Sequence, residues 1–200
     1  MSPKTREQFE EIRENKKNLI METALELFAN EGFHAVSISK IAKTAGISKG
    51  LMYNYFESKE ELIQEIVFKG FDDIMKLFDP NKDGILTDDE FDYFIDESFR
   101  LLVENRRFWK LYFSIILQPS VMGLVHDKLM KMLNPLIKTT VAFFEQKGSK
   151  DPLTDAMFFN ATLDGIFFNY ANNPELFQIE KLKSKIRQMF KCYIEKPDNT

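Results

Sequence analysis

Apolar residues recur every three or four positions along most of this chain, which is the spacing of amphipathic α-helices. The pattern first predicts a helix over residues 16–30, after a polar stretch at residues 1–15 that we expect to be frayed. No segment alternates between apolar and polar residues in the manner of a β-strand. The sequence therefore predicts an all-α protein.

A shorter pattern with clear start and stop signals occupies residues 36–62. A first run of helical spacing ends at Gly46, where a left-handed residue stops a helix, and Ser48 is suited to cap the next one. In that second helix Met52 and Phe56 lie four residues apart and face inward together. Two short helices around a glycine turn are typical of a helix-turn-helix, whose second helix enters the DNA major groove.

The remaining helices are predicted from caps, periodicity and prolines. Ser58 with Glu61, and Thr87 with Glu90, form capping boxes that begin new helices. Pro119 and Pro135 are each expected to end one helix and separate it from the next, because proline breaks the helical hydrogen-bond pattern. The predicted helices cover residues 59–78, 87–103, 105–117, 121–132, 136–146, 153–171 and 175–195.

Charge and composition narrow the class of protein. The formal net charge is −4, yet residues 33–56 contain three lysines, Lys40, Lys43 and Lys49, and no Asp or Glu. A basic surface on an acidic protein favours a polyphosphate partner, although solvated lysines on an ordinary three-helix core are the alternative. The N-terminus lacks the apolar core of a signal peptide, and no apolar run reaches the length of a membrane span. We therefore expect a cytoplasmic protein without a membrane partner.

An enzyme is the least favoured class. The chain has two histidines, His34 and His126, which lie far apart in the sequence, and no nucleophile motif. Its single cysteine, Cys192, has no partner for a disulfide and is expected to be a packing residue. The prediction is that the protein is not an enzyme.

Several segments in register carry a family resemblance. They are ALELF at 24–28, GF at 32–33, SI at 37–38, IA at 41–42, AGISKG at 45–50, Tyr53, YF at 55–56 and SKE at 58–60. Residues 17–64 resemble the N-terminal domain of tetracycline-repressor-type (TetR family) transcriptional regulators. The resemblance implies an all-α homodimer with a helix-turn-helix domain at residues 1–58 and a C-terminal regulatory and dimerisation domain at residues 59–200.

The resemblance also implies a set of DNA-binding residues. Ser37, Tyr53 and Lys59 would bind phosphates, a role that suits a hydroxyl, a phenol and an ammonium. Lys49 and Asn54 would meet base edges, since lysine can donate to guanine and asparagine can pair with adenine. The complete predicted set, for a palindromic double-stranded operator, is Ser37, Ser39, Ser48, Lys49, Gly50, Leu51, Tyr53, Asn54, Tyr55 and Lys59. For Tyr55 the alternative is packing against the following helix.

The C-terminal region is expected to bind an unknown small hydrophobic effector and a second copy of the chain. The predicted aromatic lining of the effector site is Phe108, Trp109, Tyr112, Phe113, Phe144 and Phe168, and plain core is the alternative for each. The resemblance implies a four-helix interface made by the last two helices of each subunit. The predicted interface residues are Phe158, Phe159, Leu163, Phe167, Tyr170, Ile186, Met189, Phe190 and Tyr193, with packing inside the subunit as the alternative.

One loop matches a calcium-binding motif. In residues 79–90 the oxygen-bearing positions of an EF-hand loop are Asp79, Asn81, Asp83, the Ile85 carbonyl, Thr87 and Glu90. The alternative is a glycine turn followed by a capping box, and EF-hands normally occur in pairs whereas this chain has one loop. The hypothesis is a Ca²⁺ site that serves as a structural staple.

Two functions therefore compete. The first is a dimeric DNA-binding repressor released by a hydrophobic ligand. The alternative is an EF-hand-type calcium sensor, or a DNA-binding regulator that responds to calcium.

Overall fold

The computed structural model describes residues 5–191, and all regular secondary structure in that range is helical, as predicted. The α-helices in this range are α1 (Arg6–Glu31), α2 (Ile38–Thr44), α3 (Lys49–Tyr53), α4 (Lys59–Phe78), α5 (Asp88–Glu104), α6 (Arg106–Ile116), α7 (Pro119–Gln146), α8 (Pro152–Asn172) and α9 (Ile179–Lys191). A 3-10 turn at Pro174–Leu176 precedes α9.

The chain forms two compact units. The N-terminal unit comprises the described residues up to Gly70 together with Leu111–His126, and the C-terminal unit comprises Phe71–Lys110 and the described residues from Asp127 onward. The N-terminal unit thus extends past the domain boundary expected at residue 58. The physical reason is that Leu62 and Val67 on α4 are fully buried, and the Tyr112 hydroxyl donates to the Val67 carbonyl at 3.2 Å.

The N-terminal unit has a close-packed apolar core. One or more side chains from each of its first four helices have no exposed surface: Ile20, Ala24, Phe28, Ile41, Met52, Leu62 and Ile63. Met52 and Phe56 both point inward, as their spacing predicts. This packing holds α2 and α3 in a fixed orientation on α1 and α4.

The turn between α2 and α3 depends on one glycine. Gly46 has φ +67°, the left-handed conformation that its position after α2 predicts. The Ile47 N–H donates to the Ala42 carbonyl at 2.9 Å, and the Gly46 N–H donates to the Lys43 carbonyl at 3.2 Å. These two bonds form a Schellman motif that satisfies the end of α2 and directs the chain into α3.

Replacing Gly46 by alanine should lower the free energy of unfolding by about 1–2 kcal/mol, because a Cβ is disfavoured at positive φ. Gly50→Ala is the matched control, since no atom lies within 4 Å of the position of its Cβ and it sits in α3. That change should leave stability unchanged or raise it by up to about 1 kcal/mol. Urea unfolding curves measure both; equal losses in the two variants would show that the backbone conformation is not the cause.

Helix α1 begins earlier than its apolar pattern predicts. The expectation of a frayed tail over residues 1–15 is wrong for the described part, because α1 starts at Arg6. The Thr5 hydroxyl accepts from the Gln8 N–H and the Gln8 side chain accepts from the Thr5 N–H, forming a capping box. The motif was present in the sequence, but the exposed turns that follow carry no apolar stripe to reveal the helix.

Helix α7 continues through Pro135, so the predicted break there is wrong. Proline removes one backbone hydrogen bond, but the residues on both sides of it are held by burial. Leu129 and Phe143 are 6% and 2% exposed, and the Thr140 hydroxyl donates back to the Leu136 carbonyl at 2.8 Å. Pro119 behaves as expected: α6 ends before it and α7 begins with it.

Phenylalanines fill the interior of the C-terminal unit. Phe91 stacks on Phe143 with ring centroids 5.1 Å apart and an interplanar angle of 4°. Phe159 lies 5.3 Å from Phe91 and 5.0 Å from Phe190, which joins α5, α7, α8 and α9 through one aromatic cluster. Such pairs contribute beyond their buried area, because ring edges and faces carry opposite partial charge.

An ionic network fastens α9 to α5. Asp92 accepts from Arg187 at 2.9 Å and from Lys191 at 2.6 Å, while Asp96 pairs with Arg187 at 2.9 Å and with Lys183 at 3.1 Å. Partial burial acts to raise the pKa of both aspartates, but the hydrogen bonds and charges of their partners outweigh it and lower each pKa. The network fixes the register of α9, which inserts Phe190 into the aromatic cluster.

No individual helix between residues 5 and 191 combines the length and apolar composition of a membrane span. In that range α6 and α7 meet those two criteria only when taken together, and a sharp bend separates them.

Candidate nucleic-acid interface

Helix α3 presents one face to solvent and one to the core. Met52 is fully buried, whereas Lys49, Gly50, Tyr53 and Asn54 are exposed. The Lys49 ammonium lies 5.9 Å from the centre of the Tyr53 ring, so the two side chains share the exposed face. The structure therefore groups Lys49, Gly50 and Tyr53 on one short helix, with Asn54 at its C-terminal cap.

Two serines fix the starts of α2 and α3. The Ser37 Oγ accepts from the Lys40 N–H at 3.2 Å, and the Ser48 Oγ accepts from the Leu51 N–H at 3.1 Å. Both side chains are exposed, so each hydroxyl still has its O–H to donate to a phosphate. Of the other residues in the predicted set, Ser39 is exposed, while Leu51 and Tyr55 are half-buried.

Lys59 has a structural role that its sequence position does not reveal. Its ammonium donates to the carbonyls of Phe33 and Val36, at 2.8 and 3.0 Å, and lies 4.3 Å from the centre of the Phe33 ring. Two of its three N–H donors are therefore used to hold the segment between α1 and α2. The third donor remains for the phosphate contact that the resemblance implies.

An open groove brings together three of the predicted phosphate-binding side chains. It is lined by His34, Ala35, Val36, Ser37, Ile38, Tyr53, Glu57, Ser58, Lys59 and Glu60. Ser37, Tyr53 and Lys59 come from different elements and meet here. His34 lies in the same groove and was missed by the sequence analysis, which considered histidines only as catalytic groups.

Gln118 is a second residue that sequence reasoning missed. The Phe33 N–H donates to its Oε1 at 3.0 Å, and its Nε2 donates to the Phe28 carbonyl at 3.1 Å. The single side chain thus ties the end of α1 to the segment that leads into α2. Its partners lie 85 and 90 positions away in the chain, so no local signal predicts the contact.

Gln118→Leu should lower the free energy of unfolding by about 1–3 kcal/mol, because it leaves the buried Phe33 N–H without its acceptor. Leucine matches glutamine in size, so the change tests the hydrogen bonds and not the packing. Gln146→Leu, at an exposed position on α7, should change stability by less than about 0.5 kcal/mol. Denaturant unfolding measures both, and an unaltered midpoint for Gln118→Leu would contradict the role given to this side chain.

The loop proposed as a calcium site satisfies its own polar groups. Asp79 accepts from the Asp83 and Gly84 N–H groups at 3.2 and 3.0 Å, and Asp83 accepts from the Ile85 N–H at 2.8 Å. Asn81 donates to the Asp83 carboxylate at 3.0 Å. The loop is held to α7 by the Thr139 hydroxyl, which donates to the Gly84 carbonyl at 3.3 Å.

The end of that loop is a helix cap. Glu90 accepts from the Thr87 N–H at 2.9 Å and from its hydroxyl at 2.8 Å, so both side chains take the capping-box alternative. Across residues 5–191 no group of three or more His, Cys, Asp or Glu side chains is arranged to hold a metal ion. The structure gives no support to the calcium hypothesis.

The predicted effector-site residues are divided between the two units. Tyr112 and Phe113 belong to the N-terminal unit, whereas Phe108, Trp109, Phe144 and Phe168 belong to the C-terminal unit. Within the latter, Phe144 is 1% exposed in the aromatic cluster, and Phe168 is 40% exposed on α8. Phe144 is therefore a core residue, the alternative that its sequence already allowed.

Most of the predicted dimer-interface residues are also core residues. The buried ones are Phe159, Leu163, Phe167, Ile186 and Phe190. Phe158 is 53% exposed, Tyr170 and Met189 are half-buried, and Tyr193 lies outside the described residues. Helical spacing identifies an apolar face but not what covers it, so the sequence alone does not separate the two roles.

The two short helices α2 and α3, joined by a turn at Gly46 and packed on α1 and α4, form a helix-turn-helix. Residues 20–66 match the sequence model of the tetR family of bacterial regulatory proteins. The uncharacterized HTH-type transcriptional regulator YuxN of Bacillus subtilis is 54% identical over 48 residues, which are 24% of this chain and 16% of YuxN. This curated relative is thus matched over a minor part of its length.

Solved structures extend the likeness of fold to nearly the whole chain. The SmeT–triclosan complex is similar with a TM-score of 0.70 and 17% identity, covering 92% of this chain and 93% of SmeT. NalD of Pseudomonas aeruginosa, described as the secondary repressor of the MexAB-OprM multidrug efflux pump, has a TM-score of 0.66 and 17% identity, covering 90% and 96%. The sequence likeness to tetR-family regulatory proteins thus covers residues 20–66, and the likeness of fold covers nearly the whole chain.

Proposed function

We propose that this protein is a homodimeric, sequence-specific repressor that leaves its operator when it binds a small hydrophobic ligand. The observation that carries the proposal is the exposed face of α3, where Lys49, Tyr53 and Asn54 stand beside a groove lined by Ser37 and Lys59. Lysine and asparagine suit base edges, and hydroxyl and ammonium groups suit phosphates. The arrangement suits the reading of a short DNA half-site.

A second copy of the chain is part of the proposal because one five-residue helix covers too little DNA for a specific operator. The surface that we assign to the dimer is the exposed apolar face of α8. Its exposed large apolar side chains are Leu153 (57%), Met157 and Phe158 (both 53%) and Phe168 (40%). This face replaces the buried residues of the sequence prediction. A symmetric dimer would place its two α3 helices in successive major grooves of a palindrome.

The proposed effector is small and hydrophobic. The phenylalanine-rich interior of the C-terminal unit and the likeness of the fold to SmeT, whose structure contains triclosan, support this class of ligand. A thermal-shift screen with lipophilic compounds tests it. A ligand that raises the melting temperature should also release DNA, since a repressor leaves its operator only if the ligand favours the form that does not bind DNA.

Selection of genomic fragments by the purified protein tests the whole proposal. We expect recovery of fragments that share a palindrome, with half-sites about one helical turn or slightly more apart, and a dimeric mass in solution. A monomer that enriches no sequence would overturn the proposal. Running the selection with calcium and with a chelator addresses the calcium-responsive alternative, which requires that the two results differ.

A further inference from the structure

His34 lies in the groove that Ser37, Tyr53 and Lys59 line, and the proposed function gives it no role. Its side chain is exposed, and its ring lies edge-on to that of Phe33 with centroids 5.7 Å apart. It lines the same groove as Ser37, Tyr53 and Lys59. If Ser37, Tyr53 and Lys59 bind phosphates as proposed, a side chain in the same groove is itself in position to meet a phosphate.

The charge of His34 affects how well the groove can accept a phosphate, because the other groups of the groove carry charge as well. The other ionisable groups of the groove are Glu57, Lys59 and Glu60, with the phenol of Tyr53. Two carboxylates against one ammonium leave an excess of one negative charge, which opposes a phosphate. Histidine is the side chain that ordinarily changes charge between about pH 5 and 8. A protonated His34 would cancel the excess and offer an N–H donor to the DNA backbone.

We propose that His34 is a phosphate contact for DNA and that it makes operator affinity rise as pH falls. The inference rests on the proposed function, because it requires that the groove meets DNA. A charged imidazole forms a charge-assisted hydrogen bond to a phosphate oxygen, whereas a neutral one forms a weaker bond. Acidification therefore strengthens binding at each half-site.

Two consequences can be measured. With a surface charge pair gained at each of two half-sites, the affinity should be about 2- to 30-fold higher at pH 6 than at pH 8. Each additional phosphate contact also releases counterions and steepens the dependence of log K on log salt by about 0.9, so a dimer should show a change of about 1.8. A histidine that only stabilised the fold would not alter this slope.

The chain supplies a matched control, because His126 is its other histidine. His126 is exposed on α7 and does not line the groove. Fluorescence anisotropy with the selected operator, at both pH values and several salt concentrations, compares the wild type with His34→Gln, His126→Gln and His34→Lys. We expect the full pH response in the wild type and His126→Gln, and none in His34→Gln. His34→Lys should keep the tight, salt-sensitive binding at both pH values.

Each contrary result is informative. A full pH response in His34→Gln would overturn the inference, and so would a wild type whose affinity ignores pH while it still binds the operator. A response of affinity without a change in salt slope would also overturn it, because the proton would then pair with Glu57 or Glu60 and not with DNA. If the wild type bound no operator at pH 6 or at pH 8, both the proposed function and this inference would be contradicted.

Discussion

Phe91→Ala is expected to lower the free energy of unfolding by about 3–5 kcal/mol, because it removes a ring from a core that cannot collapse onto the space. Phe91 has no exposed surface, and its ring contacts those of Phe143 and Phe159. It therefore joins three helices, α5, α7 and α8. Guanidinium unfolding followed by circular dichroism measures the loss, and Phe91→Leu should recover most of it.

Tyr93→Ala is the matched control, since Tyr93 lies on the same helix and is 44% exposed. It should change the free energy of unfolding by about 1 kcal/mol or less. A loss below about 2 kcal/mol for Phe91→Ala would mean that the aromatic cluster is loosely packed and able to relax. The two variants together thus separate the loss of a core ring from the loss of an aromatic side chain at the surface.

The fold was predictable where a cap and a periodic pattern agree. Helix α4 begins and ends where the sequence predicts, because Ser58 caps it, accepting from the Glu61 N–H at 3.0 Å, and an apolar stripe continues to Phe78. At Pro135 the local signal and the tertiary structure disagree, and burial on both sides prevails. Local signals therefore set where helices start, and packing decides whether they continue.

The part of the candidate site that lies on α3 was predictable, because it too depends on local sequence signals. The exposed residues of α3 follow one another in the chain, so their shared face could be read from spacing alone. Gln118 was missed because its contacts join segments distant in the chain, as in the bond from the Phe33 N–H to Gln118. His34 was missed because only its groove, and not its position in the sequence, places it beside Lys59. Helical spacing marks Phe159, Leu163 and Phe167 of α8 as apolar but does not show whether the core of the same chain or a second copy covers them. In each of these cases the sequence does not show which distant residues contact the side chain.

Lys49→Ala is expected to abolish useful operator binding while leaving the fold intact. The Lys49 side chain is exposed on α3, so its removal leaves no cavity. A contact of this side chain with a guanine edge is worth about 1–3 kcal/mol of discrimination, and a symmetric dimer loses it twice. The dissociation constant should therefore rise by about 30-fold to 10⁴-fold, which competition binding with the selected operator measures.

Lys131→Ala removes the same charge from an exposed position on α7 and should change operator affinity by less than about 3-fold.

The salt dependence of operator binding by Lys49→Ala separates two roles for Lys49. Loss of a phosphate contact would reduce the salt slope by about 1 per half-site and weaken binding to all sequences equally. Loss of a base contact would instead relax specificity at one position of each half-site. Wild-type affinity in Lys49→Ala would mean that Lys49 contacts neither a base nor a phosphate of the operator, and would leave Asn54 as the remaining assigned base contact.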